Sequence, residues 1–435
     1  MGPSSQAVVG ILVGRALRDF GDGFVAIILP VYLSTLGMSA FEVGLVATLA
    51  LLGSALVTLA MGWLGARHDH RRLLLAAALL MVATGLAYAA AGPLWVLFLV
   101  AFVGTINPAG GSTSPFVPIE HAVLAGAVPP ERRTRVFARY SLAGALAGAL
   151  GSLFAAAPEW IEQAGFERAD ALRLLFVVYA ALGATGGLAY CRVPASRERA
   201  ARSPSPLGPS RAIVLRLAAL FSLDAFAGGL AAQSLLALWL FERFGLSLAA
   251  AGQFFFASSL LAAVSFPLAA WIGARAGLVN TMVFTHIPSS LCPIAAAFAG
   301  SVEAALALLL VRAFLAQMDV PVRSSYVMAL VTPPERPAAA SITAVPRSLA
   351  AAASPALAGA LISAGLLAWP LALCGALKIA LRSDAFRRVS RPEDAGGNRT
   401  DERLARRRPA PLLCPLHRDR GGKSSWRHTS SRKWT

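Results

Sequence analysis

Charge is scarce in this chain. Only 14% of its 435 residues are Asp, Glu, Lys or Arg, against about a quarter in a typical soluble domain. Acidic residues are the rarest part, with 22 Asp and Glu against 39 Lys and Arg. Cysteine is equally sparse, and Cys191, Cys292, Cys374 and Cys414 show neither CxxC nor Cys/His metal spacing. Three of them lie in or beside apolar runs, which argues for free thiols and against a disulfide framework or a zinc site. No GxxxxGK(S/T) phosphate loop, no HExxH and no nucleophile beside a positioned base occur, so nucleotide hydrolysis and intramembrane enzymology lack their residues. No cofactor is expected. The first residues, MGPSSQAVVG, lack a basic n-region and a small-residue cleavage site, so no cleaved signal peptide is expected.

What the chain has instead is apolar sequence. Hydrophobic residues make up 57%, and the mean hydropathy is +0.64. No soluble core could hold so much, whereas lipid could. A spanning helix needs about 20 mostly apolar residues. That rule predicts helices near 8–34, 40–62, 73–91, 94–116, 136–157, 171–191, 212–240, 247–273, 278–299, 303–329, 341–363 and 365–381. The last run is short for a span and carries Lys378 near its end.

The formal charge of +17 does not point to nucleic acid. Much of it follows Leu381, and most of the rest sits in alternate short loops. Those loops hold Arg67, Arg71 and Arg72; Arg132, Arg133 and Arg135; Arg192 to Arg211; Arg275; and Arg336. The loops between them are nearly free of positive charge or acidic, as at Glu159, Glu162, Glu167 and Asp170. Basic loops stay on the cytoplasmic side, so both termini are expected in the cytoplasm. The Pro/Ser/Arg-rich stretch 193–211 reads as a cytoplasmic linker between two bundles, 1–192 and 212–381. The tail 382–435 is rich in Arg, Pro, Ser and Gly without apolar periodicity and reads as disordered, suited to anionic lipid.

The two bundles repeat each other. Trp63-Leu-Gly-Ala-Arg67 recurs as Trp271-Ile-Gly-Ala-Arg275, 208 residues on. Val128-Pro-Pro-Glu-Arg132 recurs as Thr332-Pro-Pro-Glu-Arg336, 204 residues on. Asp19 and Gly23 are echoed by Asp224 and Gly228 at an offset of 205. Repeated six-helix halves place a substrate site at their interface, and rocking of the halves exposes it to alternate sides.

At these residues the chain, over roughly 8–381, resembles the major facilitator superfamily. That family carries Gly-x-Leu-x-Asp-Arg-x-Gly-Arg-Arg between helices 2 and 3. Here the stretch is Gly62-Trp-Leu-Gly-Ala66-Arg67-His68-Asp69-His70-Arg71-Arg72. Gly62, the leucine, Arg67 and Arg71 match, while Ala66 replaces the acidic residue and Asp69 stands at the second glycine. The resemblance implies that this stretch serves a cytoplasmic gate, with Asp69 the carboxylate available. The family's arginine motif is missing from helix 4, although Arg312 on helix 10 resembles its mirror copy. The Gly-Pro antiporter signature on helix 5 is absent; Gly144, Gly148 and Gly151 alone remain, a spacing that reads as close helix packing. The stretch from Gln317 through Arg347 resembles one bacterial branch of uncharacterised permeases.

Charges inside a span cost several kcal/mol unless paired or wetted. Arg15, Arg18, Asp19 and Asp22 share one face of helix 1, as i, i+4 pairs Arg15–Asp19 and Arg18–Asp22. Two readings fit: a self-neutralising structural cluster, or a proton or substrate site at Asp19 or Asp22. Asp224 mirrors Asp19 without a cation on its own helix, and Arg312, Arg323 and Arg347 are its candidate partners. It is either a coupling site or half of a fixed salt bridge. Glu120 and Arg323 follow prolines at near-equivalent places on helices 4 and 10, as an inter-half gate pair or as interfacial snorkelling. Asp319 is a competing carboxylate on helix 10. His286 reads as packing before proton relay. Asn107, Gln233, Gln253, Asn280 and Gln317 give a cavity moderately polar walls; the resemblance implies that helices 1, 4, 7 and 10 line it, and most of these groups fall on them. Phe254 to Phe256 read as packing. The expectation is an all-α integral membrane protein of the inner membrane, monomeric, moving a small solute by alternating access. Proton-coupled efflux leads, with metabolite uptake or a non-transporting sensor as the rivals.

Overall fold

The structure is a computed structural model describing residues 3–65, 68–109, 114–195, 210–276, 278–316 and 336–389. The chain divides into two units, 1–385 and 386–435. In the second, the described residues 386–389 finish a helix.

The described residues are helical, with no strand among them. The helices of the first half are α1 (Pro3–Thr35), α2 (Ala40–Gly65), α3 (His70–Ala89), α4 (Leu94–Val103), α5 (Val117–Ala127), α6 (Pro130–Phe154), α7 (Ala157–Gln163) and α8 (Arg168–Tyr190). Those of the second are α9 (Arg211–Gly229), α10 (Gln233–Phe244), α11 (Leu248–Ala276), α12 (Leu278–Ala297), α13 (Val302–Ala316), α14 (Arg336–Ser363) and α15 (Trp369–Val389). Seven stretches among the described residues are long and apolar enough to cross a membrane. Helix α1 is long enough as well, at 33 residues, and carries four ionisable groups, Arg15, Arg18, Asp19 and Asp22.

Two expected spans are interrupted. The run predicted as one helix over 94–116 stops at Val103 and restarts at Val117. The reason lies between them, in Asn107-Pro108, Gly110-Gly111 and Pro115. Proline removes a helix donor and pushes the preceding residue out of the helical region. The span predicted over 212–240 breaks at 230–232, just after Gly228-Gly229, a pair that weakens a helix interior. Broken helices inside a membrane survive where protein or a cavity satisfies the freed backbone. The last helix is longer than expected, reaching Val389 rather than 381, although its apolar stretch ends at Leu381. The expected helix over 303–329 is described only as α13; its remainder, with Gln317, Asp319 and Arg323, lies outside the described residues.

Helix α1 packs closely on α6 because both are small there. A Cβ on Gly23 would collide with the Gly148 carbonyl, and one on Gly151 with that of Phe20. Dispersion across such a contact holds helices together where lipid supplies no hydrophobic drive. Among the described residues, the contacts between the first and second halves include three built on glycine, hydroxyl and backbone groups. In the first, Gly44 lies against Pro355 and Gly359, Phe41 N–H donates to Ser363 Oγ at 2.7 Å, and Ala356 N–H donates to Thr48 Oγ1 at 2.9 Å. In the second, Gly252 of α11 lies against the Ser152 carbonyl of α6. In the third, Ser234 N–H of α10 donates to the Pro108 carbonyl in the α4–α5 break at 2.9 Å. The first two lie at the helix ends away from the arginine-rich loops. The third sits in the middle of the fold.

Candidate functional site

The face of α1 that carries Arg15, Arg18, Asp19 and Asp22 turns inward, and all four side chains are buried. The break before α5 brings a fifth charge to them. Pro118 starts α5, so Glu120 stands in its first turn, where the helix dipole favours a carboxylate. Its exposure is 0%.

Arg18 grips Glu120 with both ends of its fork, Nη1 to Oε1 at 2.9 Å and Nη2 to Oε2 at 3.0 Å. The Tyr190 hydroxyl of α8 donates to Oε1 at 2.6 Å, and the Tyr140 hydroxyl of α6 to Oε2 at 2.5 Å. Each carboxylate oxygen thus accepts two hydrogen bonds, the arrangement that a buried ion pair needs to offset desolvation. The Arg18 guanidinium also lies over the Phe116 ring, 4.7 Å from its centroid.

The rest of the cluster is held less completely. Arg15 Nε lies 2.8 Å from Asp19 Oδ2, as an ion pair without hydrogen-bond alignment. Its guanidinium rests over the Tyr140 ring at 4.8 Å. Arg18 Nε is 3.6 Å from Asp19 Oδ1. A Cβ on Gly144 would strike the Arg15–Asp19 pair, so this glycine makes room for charge as well as for a helix. Asp22 has one hydrogen-bond partner among the described residues, the Tyr179 hydroxyl of α8 at 3.3 Å. That hydroxyl is shared with Thr105 Oγ1 in the α4–α5 break, 3.1 Å away.

Three sequence expectations change here. The Arg15–Asp19 pair forms, but Arg18 turns from Asp22 to Glu120, because the bidentate site with two tyrosine hydroxyls offers it more. Glu120 is no snorkelling side chain, being wholly buried and paired within its own half; its expected partner Arg323 is outside the described residues. Asp224 gains a cation that was not expected: Lys378 Nζ of α15 lies 3.8 Å from its Oδ1, while the candidate Arg323 is outside the described residues.

The other candidates scatter. Asp69 caps α3, its Oδ1 accepting Arg71 N–H at 2.8 Å. Gly62 lies in α2, and Arg67 is outside the described residues. Asn107 is buried in the α4–α5 break, Gln233 opens α10 half-buried, and Arg312 is half-buried on α13. Gln253 is exposed, and Phe254 and Phe255 are buried against each other with centroids 4.9 Å apart. The side chains of Asn280 and His286 are not described. Sequence reasoning missed Tyr140, Tyr179 and Tyr190. Tyrosine is rare here, at six, and a phenol within an apolar helix needs a polar partner. That was the available signal.

Residues 11–318 match the family model of the Major Facilitator Superfamily. The bacterial homolog of the human lysosomal transporter Spinster, inward-facing and unoccupied, is similar in fold at a TM-score of 0.66 and 16% identity, covering 88% of this chain and 95% of that one. The nucleoside transporter NupG matches at a TM-score of 0.68 and 13% identity, covering 90% and 100%. A bacterial homologue of the iron transporter ferroportin matches at 0.64 and 18%, covering 87% and 98%. An uncharacterized membrane protein of Saccharomyces cerevisiae is 26% identical over 167 residues, 38% of this chain. That match spans only 37% of the yeast protein's length. The structural neighbours named here are membrane transporters, not enzymes. With a family match over residues 11–318, most of its length, this chain belongs to the Major Facilitator Superfamily.

Proposed function

We propose that the chain is a proton-coupled secondary transporter that exports a small organic solute by alternating access. The carrying observation is the charge count of the buried cluster. Among the described residues, two arginines face three carboxylates, so one carboxylate there is in excess. Asp22 is that one, since Arg15 serves Asp19 and Arg18 serves Glu120. A single proton on Asp22 makes the cluster neutral, and a neutral cluster is the form that can be occluded in a low-dielectric interior at least cost. Loading and unloading that proton is then tied to which side the cluster can reach.

The contacts between the halves support the cycle's other requirement. At their helix ends, those described join the ends away from the arginine-rich loops, which suits a form open toward those loops. We assign that side to the cytoplasm, with the bundles 1–192 and 212–381 rocking about the α4–α5 and α9–α10 breaks. We assign Asn107 and Gln233 to the wall of the solute path between the bundles, where few polar groups suit a solute with an apolar body. Export follows if the proton and the solute occupy the cluster in turn, so that a proton entering from outside is exchanged for a solute leaving.

The test has two steps. A knockout strain screened for altered sensitivity across a compound panel identifies the solute. Purified protein in liposomes is then given an imposed pH gradient. Solute movement against its own gradient, collapsing when a protonophore is added, is the expected result; flux indifferent to the pH gradient rejects proton coupling. Topology is checked separately. Reporter fusions after Arg192 should read cytoplasm and after Gln163 outside, and a reversed pair would overturn the orientation.

A further inference from the structure

Glu159 stands apart from the charge cluster. It lies on α7, the short helix after α6 at the end away from the arginine-rich loops. Its Oε1 accepts Leu248 N–H at 2.5 Å and Ala249 N–H at 3.3 Å. These are the first two N–H groups of α11, in the other half of the chain. The third is satisfied at home, Ala250 N–H donating to Ser247 Oγ at 3.1 Å. The opening N–H groups of a helix have no partner within it and carry the positive end of its dipole. A carboxylate from one half therefore completes the cap of a helix in the other. Glu162, one turn along α7, instead faces Arg168 of its own half, Oε1 to Nε at 3.8 Å.

Of the contacts between the halves described above, the one at Glu159 is the one made by an ionisable side chain. The others are backbone, hydroxyl or glycine contacts. One turn along α11, Gly252 meets the Ser152 carbonyl, so the cap and the close glycine contact clamp the same pair of helices.

We infer that Glu159 is a positioning residue of the transport cycle, holding the outer ends of the halves together by capping α11 and releasing it before that end opens. It acts on the equilibrium between two arrangements and touches no solute. The inference rests on the alternating-access reading above.

Spin labels at Gln163 and Glu242, both exposed at that end, test it by double electron–electron resonance. The full chain is used, with its four cysteines replaced. Glu159→Ala is expected to raise the ratio of long to short separations about tenfold, which converts to about 1.4 kcal/mol. That is the scale on which helix caps act. Glu159→Gln keeps an acceptor of the same reach without the charge and should fall between, while Glu162→Ala should leave the distribution unchanged. An unmoved distribution in Glu159→Ala overturns the inference. So does an equal shift in Glu162→Ala, which would trace the effect to acidic charge on α7 rather than to the cap. Should Glu159→Ala not fold, Glu159→Gln decides, since its ratio must exceed that of the unsubstituted protein. The distances are read without solute, so a shift here beside a failed flux assay would sink the transport reading and leave the clasp standing.

Discussion

Glu120→Ala is expected to cost the protein about 3–5 kcal/mol of stability, the scale for removing one member of a buried ion pair. The reason is what it leaves behind. Arg18 is 2% exposed, and without Glu120 its fork has no bidentate acceptor. The Tyr140 and Tyr190 hydroxyls lose theirs at the same stroke. A drop in folded yield from detergent extraction and an earlier thermal transition would show it. Glu120→Gln should fall between, since its amide oxygen still accepts but its charge is gone. The double change Arg18→Met with Glu120→Leu should recover much of the loss, because an apolar pair of similar volume has no charge to desolvate. An unchanged melting temperature in Glu120→Ala would show that the pair contributes nothing.

That pair also marks how far the sequence could be read. The i, i+3, i+4, i+7 spacing on α1 showed that four charges share a face, and the absence of a lipid solution for them showed that the face is internal. What periodicity could not say is which carboxylate each arginine takes. Arg18 and Glu120 meet only because the chain stops being helical between Val103 and Val117. The prolines and glycines that stop it stand in the sequence, inside a run whose apolar length by itself predicts one helix. Asp224 teaches the same lesson. One cation beside it is Lys378 on α15, a lysine that from sequence stands near the end of a short last helix. The all-helical class and the shared charged face of α1 were legible because each is a property of single segments. Ion-pair choice between helices was not, because packing decides it. The cap that Glu159 places on α11 belongs to that second class too, since an acidic loop residue carries no mark of the helix it will reach.

Asp22→Asn is expected to fold normally and to abolish proton-driven accumulation while leaving solute exchange intact. Asn has nearly the size of Asp and still offers an oxygen to the Tyr179 hydroxyl, which sits 3.3 Å from Asp22 Oδ1. No arginine loses its acceptor, because Arg15 and Arg18 pair with Asp19 and Glu120. The contrast with Glu120→Ala is therefore one of kind: stability fails in one and coupling in the other. One pH unit across the membrane is worth about 1.4 kcal/mol per proton, a tenfold ratio of solute at most for one-to-one exchange. The unsubstituted protein should approach that ratio in liposomes, and Asp22→Asn should fall to about onefold. Counterflow of labelled against unlabelled solute should persist in both, since exchange needs the halves to rock but no proton to be carried. Asp19→Asn provides the comparison: it withdraws the charge opposite Arg15 and should lose stability as well as flux. If Asp22→Asn is stable and still accumulates solute to the ratio set by the pH gradient, the proton rides elsewhere. Asp19 and Asp224 are then the carboxylates to substitute next, Asp224 together with Lys378 so that no lone charge is left.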